Sequence, residues 1–464
     1  MADAALARLH AAALTARCHN AFFRQKQLKA LHDALRQDSN TLKDAIRADT
    51  RVPEQEAARE VALALDLVRE HYAAIDPATE LEREYRVAKG RDAEDQTTPW
   101  GVVYIEPLQT HTPLFSAVSA LSAALSAGNC VALRLDNSLR ALPTLLRALL
   151  TAALEPDTFA AVAAAPSADA LAGCLQVLQD THVEQPTHFQ LVSQQRRVIA
   201  IVDRTADLAS AAQSLVAARF GFGGRSPYAP DLVLVNEFVH EDFVGHVLRA
   251  AIPYVAGAGV TGPKSPSSSP QTLNAHAAIT PLPSLTSLSA LPAPTAHPSL
   301  PVSPITSLEH ALSLLDADGA AAPLRAAYFF GSPATGKYLA QYTAAALALV
   351  NHIPPALLLG PAAPAHHAPS LDLRYTRTHF SRPAPVYVAP RGTTGEPWKV
   401  DASEALRTAG REIGQKKRAE WIAIGYFEQG ILLGLGVYGV PLLACVGTGV
   451  FYGMRAGLRR FAIV

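Results

Sequence analysis

Cysteine is scarce and scattered in this sequence. Cys18, Cys130, Cys174 and Cys445 are the only four in 464 residues, and no two form a C-x-x-C pair. That spacing excludes a disulfide framework and suits a reducing compartment. Excess charge is absent as well: 40 Lys and Arg stand against 40 Asp and Glu. The balance gives no global argument for a nucleic acid or an acidic partner. The opening segment, MADAALARLH, has no apolar h-region, so no secretory signal is visible.

One stretch lacks charge altogether. Residues 430–454 read GILLGLGVYGVPLLACVGTGVFYGM, and a membrane-crossing helix needs about 20 apolar residues. Lys416, Lys417 and Arg418 precede it, and Arg455, Arg459 and Arg460 follow it. Tyr426, Phe427, Phe451 and Tyr452 sit where interfacial aromatics would. Its glycines and Pro441 would make a poor soluble helix, but membrane helices tolerate them. We therefore expect a transmembrane anchor over 426–464, inserted as a tail with the globular part in the cytosol.

The rest of the chain is long enough for two or three domains. Residues 4–75 carry apolar residues at helical spacing. Beyond them, 100–105 (WGVVYI), 130–135 (CVALRL) and 198–203 read as strands. Helices are expected over 114–127, 141–154 and 208–219. This alternation predicts an α/β fold with a parallel sheet. Residues 261–305 are dense in Pro, Ser and Thr and are expected to be irregular. Order should return with a helix at 308–315, a strand at 326–330, a helix at 337–347 and a strand at 348–351. A basic helix over 404–424 should lead into the apolar tail.

Several local motifs invite a chemical reading. Gly331 to Lys337 (GSPATGK) matches the first seven positions of a P-loop, whose backbone N–H groups cradle phosphate. The magnesium-binding last position is Tyr338, so an ordinary strand-to-helix turn is the simpler reading. His240-Glu241 with His246 has the wrong spacing for a zincin helix. His366-His367 has no partner at metal-ligand spacing, and no metal site is expected.

The informative signal is a longer run. Asp203-Arg-Thr-Ala-Asp207-Leu208, then Arg219-Phe220, Gly224 and Ala229-Pro230-Asp231-Leu-Val-Leu-Val235 resembles the aldehyde dehydrogenase family without a gap. Pro99-Trp-Gly-Val-Val103, Ser126-Ala-Gly-Asn129-Cys-Val-Ala-Leu-Arg134 and Val350-Asn351 are similar to further motifs of that family. A hydrophobic C-terminal tail is a feature of its class 3, fatty aldehyde, branch. The resemblance implies Rossmann-type parallel sheets in two domains with an N-terminal helical region, an NAD or NADP cofactor, a small-molecule aldehyde substrate and a homodimer.

The resemblance also implies a site, and the residues in its slots are not those the chemistry uses. The nucleophilic cysteine falls on Pro227, which has no thiol to attack a carbonyl. The general-base glutamate falls on Gln190 or Ser193, neither of which is a base. The oxyanion asparagine falls on His111, which as an imidazole still has a hydrogen bond to donate. Ser226 is the neighbouring hydroxyl that would have to replace the cysteine. The cofactor lysine is Arg134, and Asn351 keeps a family asparagine. The glycine turn that seats the dinucleotide is replaced by QDTHVEQPTHF over 179–189, and 294–298 (PTAHP) stands where a ribose-binding carboxylate is expected.

The domains expected are 1–180 (helices and a degenerate dinucleotide-binding region), 181–350 (a degenerate catalytic domain holding the insert 261–305), 351–425 (a loop and the basic helix) and 426–464 (the anchor). The reading is a membrane-anchored homologue with impaired catalysis. The alternatives are an NAD(P)-dependent aldehyde oxidoreductase with divergent residues and a P-loop nucleotide-binding protein.

Overall fold

A computed structural model describes residues 2–181, 183, 185–193, 196–257, 279–286, 299–317, 323–367, 369–371, 373–389, 402–414 and 426–461. The chain divides into two compact units, Met1–Ser332 with Leu339–Arg391, and Pro333–Tyr338 with Gly392–Val464.

The first unit opens with helices α1 (Ala2–Leu14), α2 (Ala21–Gln37), α3 (Ser39–Thr50), α4 (Glu54–Ala73) and α5 (Pro77–Arg86). Asn20 starts α2 by accepting from the Phe23 N–H, and Asp76 starts α5 by accepting from Ala78 N–H. Each satisfies an N–H that the first helical turn leaves free. A short strand β1 (Thr97–Pro99) follows, then β2 (Val102–Glu106), α6 (Pro113–Ala127), β3 (Cys130–Arg134), α7 (Ala141–Ala153), β4 (Phe159–Val162), the single turn α8 (Ala168–Leu171), β5 (Leu175–Leu178) and β6 (Gln190–Val192).

Strands β4-β3-β2-β5-β6 form a five-stranded sheet, parallel throughout. Its strands are buried on both faces, so they read as continuous apolar runs. Val103, Ile105, Val131 and Leu133 face the core built by α2, α4, α6 and α7. Val102, Tyr104, Cys130 and Ala132 face the other way, into a core shared with Leu6 and Leu9 of α1. Helix α6 is buried from Leu114 to Ala127. Its serines do not break it, because Ser119, Ser122 and Ser126 donate to carbonyls three or four residues earlier in the helix. Gly128 ends it at φ +94°, where any Cβ would sit 2.8 Å from the Cys18 carbonyl oxygen.

A second sheet, β12-β11-β7-β8-β10-β9, is also parallel throughout. Its elements in chain order are β7 (Val198–Val202), α9 (Leu208–Phe220), β8 (Leu232–Asn236), α10 (His240–Gly257), β9 (Ile279–Pro281), β10 (Leu300–Ile305), α11 (Leu308–Ala317), β11 (Ala326–Phe330), α12 (Pro333–Tyr342) and β12 (Ala348–Val350). Strand β13 (Ser381–Pro383) pairs antiparallel with β1.

Two expectations are corrected here. Residues 261–305 are not irregular throughout, since β9 and β10 extend the second sheet. Proline density suggested otherwise, but the prolines sit where the ladder tolerates them. Pro301 precedes the first register pair of β10 with β8, and Pro304 follows the last with β9. Residues 261–278 and 287–298 lie outside those described. The basic helix expected over 404–424 is short: α13 spans Ala402–Ala409, and residues 410–414 are not helical. Residues 415–425 lie outside those described.

In the second unit α14 (Tyr426–Gly434) continues through a π-helical turn, Leu435–Gly439, into α15 (Val440–Phe461). The wide turn sits just before Pro441, which has no N–H to return to the preceding turn. Residues Gly430–Gly457, 28 in all, are long and apolar enough to cross a membrane, and none of that apolar span is buried. Ile431, Leu433, Tyr438, Leu443, Phe451 and Met454 are all exposed.

Candidate functional site

Parallel sheets place functional groups on the loops beyond their strand ends. The loop after β2 carries Thr110, His111 and Thr112, and the loop before β8 carries Arg225, Ser226 and Pro227. The fold brings these two loops together. Arg225 Nη1 donates to the Thr110 carbonyl at 3.3 Å, and the His111 ring meets the Phe222 ring edge-on at 6.2 Å. Three of the residues singled out from sequence, His111, Ser226 and Pro227, therefore share one neighbourhood.

His111 is buried, and its Nε2 lies 2.8 Å from the carbonyl oxygen of Leu358. A carbonyl only accepts, so Nε2 carries the proton. Burial, with Arg374 and Arg225 nearby, pushes the imidazole down to about 4, so it is neutral near pH 7 and has no second N–H. Nδ1 is a bare lone pair, buried without a partner. In this arrangement the one donor of His111, expected from sequence to be open to an oxyanion, is directed at the protein backbone.

Pro227 is half-buried, and its carbonyl accepts from Arg325 Nη1 at 2.8 Å. Ser226 is buried, and its Oγ accepts from the Tyr228 N–H at 3.2 Å. That is the only hydrogen bond of its hydroxyl among the described residues. An activated serine needs a base within reach, and no side-chain base is bonded to Ser226. Asp231, in the ungapped run, works as scaffold. Its carboxylate accepts from the Val198 N–H at 2.8 Å and so fixes β7 beside β8.

The other candidates lie elsewhere. Gln190 begins β6 at the level of Gln176, and its Nε2 reaches Gln176 Oε1 at 3.4 Å. The strand runs on to Val192, so Gln190 starts two residues below the C-terminal edge, roughly 7 Å. Ser193 follows Val192 at that edge. Neither bonds to the 225–227 loop among the described residues. Asn351 clamps two strand ends: its Oδ1 accepts from Gly331 N–H at 2.9 Å and its Nδ2 donates to the Gly331 carbonyl at 2.7 Å.

That clamp also removes the P-loop reading. Gly331 N–H is held by Asn351, and Ser332 N–H donates to Thr205 Oγ1 at 2.8 Å. The Asp203 side chain packs directly against Gly331. Helix α12 begins at Pro333, so Gly336 and Lys337 are already helical and form no phosphate cradle.

Arg134, which the resemblance puts in a cofactor slot, is already engaged by the protein. Arg134 is paired with Glu106 at 2.8 Å, and Tyr104 and Thr181 hydroxyls also reach that carboxylate. A carboxylate there opposes a phosphate. A dinucleotide pyrophosphate is ordinarily received by a helix N-terminus after a strand. Between Leu178 and Gln190 the described residues contain no helix. Residues 294–298 lie outside those described.

Sequence reasoning missed Glu60 and Glu56, one turn apart on α4. Glu60 is fully buried, and its Oε1 accepts from Leu114 N–H at 2.8 Å and Phe115 N–H at 3.1 Å, holding the start of α6. Burial pushes its carboxyl up to about 7 against those two bonds. Glu56 Oε2 accepts from Phe222 N–H at 2.9 Å, and burial raises its pKa. The signal was present: Glu60 interrupts the apolar stripe Ala57, Val61, Ala64, Leu67 of α4. Glu60, Thr110, His111, Phe222 and Arg225 line a cavity of about 40 Å³.

Comparison with known proteins places this geometry. A sequence model of the aldehyde dehydrogenase family matches residues 1–175. No curated protein sequence matches. Among solved structures, AldH of Staphylococcus aureus in a substrate-bound state is 15% identical, with 88% of this chain and 99% of that one covered at a TM-score of 0.65. An NADP-dependent glyceraldehyde-3-phosphate dehydrogenase from Bacillus halodurans, complexed with NADP, is 16% identical, covering 83% and 90% at 0.60. An NAD-dependent benzaldehyde dehydrogenase from Corynebacterium glutamicum is 15% identical, covering 83% and 89% at 0.58. The chain thus has the aldehyde dehydrogenase fold.

Proposed function

We propose that this protein is a membrane-anchored aldehyde dehydrogenase homologue that no longer performs the family's covalent oxidation and acts through binding or assembly. The cavity carries this reading. Ligand sites occupy about 300–1,000 Å³, whereas the space beside His111 is about 40 Å³, room for a water molecule or so and not for an aldehyde beside a nicotinamide. Next to it in the chain, beyond Arg225, Pro227 has no attacking atom, and no side-chain base is bonded to the Ser226 hydroxyl among the described residues. The oxyanion slot is spent on Leu358. The membrane part rests on Gly430–Gly457, an apolar helix left without cover.

The test is direct binding. Purified protein titrated into NADH should leave the cofactor fluorescence unshifted at micromolar protein. A saturable blue shift would overturn the reading and favour a working dinucleotide site.

A further inference from the structure

Three of the four cysteines, far apart in sequence, belong to one buried cluster between α1 and the first sheet. Two of them nearly touch. Cys18 lies in a 3₁₀ turn, Arg17–His19, between α1 and α2, and Cys130 is the first residue of β3. Their sulfurs are 3.7 Å apart, across 112 residues of chain. Both are held by turns fixed independently of the thiols. Cys130 N–H donates to Gly101 carbonyl, and Asn129 bonds Gly101, Ala124 and Phe380. On the other side Arg24 donates to the His19 carbonyl, and Arg17 pairs with Glu155. The Cys18 carbonyl packs over Gly128, where no side chain would fit.

We propose that Cys18 and Cys130 are a modification site, a dithiol that a hydroperoxide converts into a disulfide stapling the α1–α2 turn to β3. The hydrogen bond shared with Cys130, with Arg17 and Arg24 nearby, holds Cys18 below the ordinary thiol range, although burial opposes this. Cys18 is therefore the attacking sulfur. Its thiolate takes the outer oxygen of the hydroperoxide as the O–O bond breaks, giving a sulfenic acid; the remaining oxygen takes a proton and leaves as water from hydrogen peroxide, or as an alcohol from an organic hydroperoxide. The Cys130 sulfur then attacks that sulfenic sulfur, the S–S bond forms, and the hydroxyl leaves with the Cys130 proton as water. Two thiols are oxidised and one peroxide is reduced. A small oxidant suits a sulfur that is 5% exposed. A cavity of about 830 Å³, lined by Ala16, His19, Arg24 and Ala127, opens beside both turns. Cys174 has a different partner, His10 Nε2 at 3.3 Å, and burial raises it to about 11, so it stays a thiol.

The experiment uses the full chain in detergent, with Cys445→Ser to remove the exposed thiol. Hydrogen peroxide treatment, denaturation and thiol titration should show the three remaining thiols falling to one. Peptide mapping should find a single cross-linked pair containing Cys18 and Cys130. Tm should rise by about 5 °C, as expected for closing a long loop, and return on reduction. Cys174→Ser should leave the cross-link in place. Three thiols surviving, a cross-link through Cys174, or overoxidation of Cys18 with Cys130 still free would each overturn the proposal. Cys18→Ser should abolish the cross-link, and mapping on the unmutated Cys18–Cys130 pair keeps the test valid if that variant does not fold.

Discussion

Arg325 Nη1 lies 2.8 Å from the carbonyl oxygen of Pro227, so the loop that carries Pro227 is tied by its backbone to the start of β11. The loop is held as structure. A thiol restored at position 227 would still face a neutral His111 with its single N–H committed to Leu358 and an Arg134 paired with Glu106. Covalent catalysis also needs a hydride acceptor and a base for deacylation. The full-length protein in detergent should therefore form no NADH above background from octanal, hexadecenal or benzaldehyde. Pro227→Cys, alone or with His111→Asn, should not change that. Aldehyde-dependent NADH formation abolished by heating would refute the prediction, and Ser226 would be the first residue to replace.

Buried histidines set the response to acid. His71, His111 and His379 are each pushed down to about 4, in every case chiefly by burial. Their unfolded value is near 6.5. The neutral form is the folded one, so their contribution is full above 6.5 and is lost as pH falls through 4. Glu60 acts in the opposite sense. Raised to about 7, its contribution is full below its unfolded value and is lost as pH rises through 7. Burial also raises Glu56 and Asp231, which act in the same sense as Glu60 with smaller shifts. The three large histidine shifts outweigh them, so stability should drop as pH falls from 6.5 toward 4.5. Urea midpoints measured across that range should show the fall, and His111→Gln should remove about one proton's worth of slope. An unchanged slope in that variant would mean that His111 is charged in the folded protein.

The sheets were legible where strands are buried on both faces. Val102–Glu106, Cys130–Arg134, Val198–Val202 and Ala326–Phe330 announce themselves as apolar runs. Strand β10 did not, because LPVSPI carries two prolines whose harmless positions depend on where its neighbours begin and end. Edge strands β6 and β9 are three residues each, too short to show alternation. The contacts around the residues singled out from sequence were not legible. Nothing in the string THTP says that His111 spends its proton on a carbonyl 247 residues away. Nor does GSPATGK show that Asn351 and Thr205 have taken the N–H groups a phosphate would need.

Asn351 is predicted to matter for stability alone. It sits at φ +58°, a conformation asparagine tolerates better than most residues, and makes two hydrogen bonds to Gly331. Asn351→Ala should destabilise by about 2–4 kcal/mol, from two lost bonds and a strained backbone. Asn351→Gly should cost less, since glycine relieves the strain but restores neither bond. Chemical denaturation of the three proteins separates the two contributions. Equal losses in both variants would leave the backbone with no part in it. Neither variant should alter magnesium–ATP binding, which is expected to be undetectable in all three.

The apolar helix makes the last prediction. A core helix of a soluble protein hides its apolar side chains, whereas Leu432, Leu435, Val440, Leu442, Val446 and Val450 are all more than half exposed. Burying one such side chain is worth about 1.5–3 kcal/mol, so leaving the whole span in water would cost far more than the usual stability of a domain. A lipid phase removes that cost. The 28 residues of Gly430–Gly457 extend about 42 Å as a helix, against a hydrocarbon core of about 30 Å, so the span is long enough even when tilted. Its glycines and the π turn before Pro441 weaken it as a soluble helix, and in lipid the backbone has no water to turn to and stays helical. The intact protein should therefore sediment with membranes and resist carbonate washing, while deletion of 426–464 should move it to the supernatant. Removing Pro441 by Pro441→Leu should keep it in the membrane fraction, because the proline shapes the helix without supplying its hydrophobicity. Continued carbonate-resistant sedimentation of the deletion variant would show that some other surface holds the protein to the membrane.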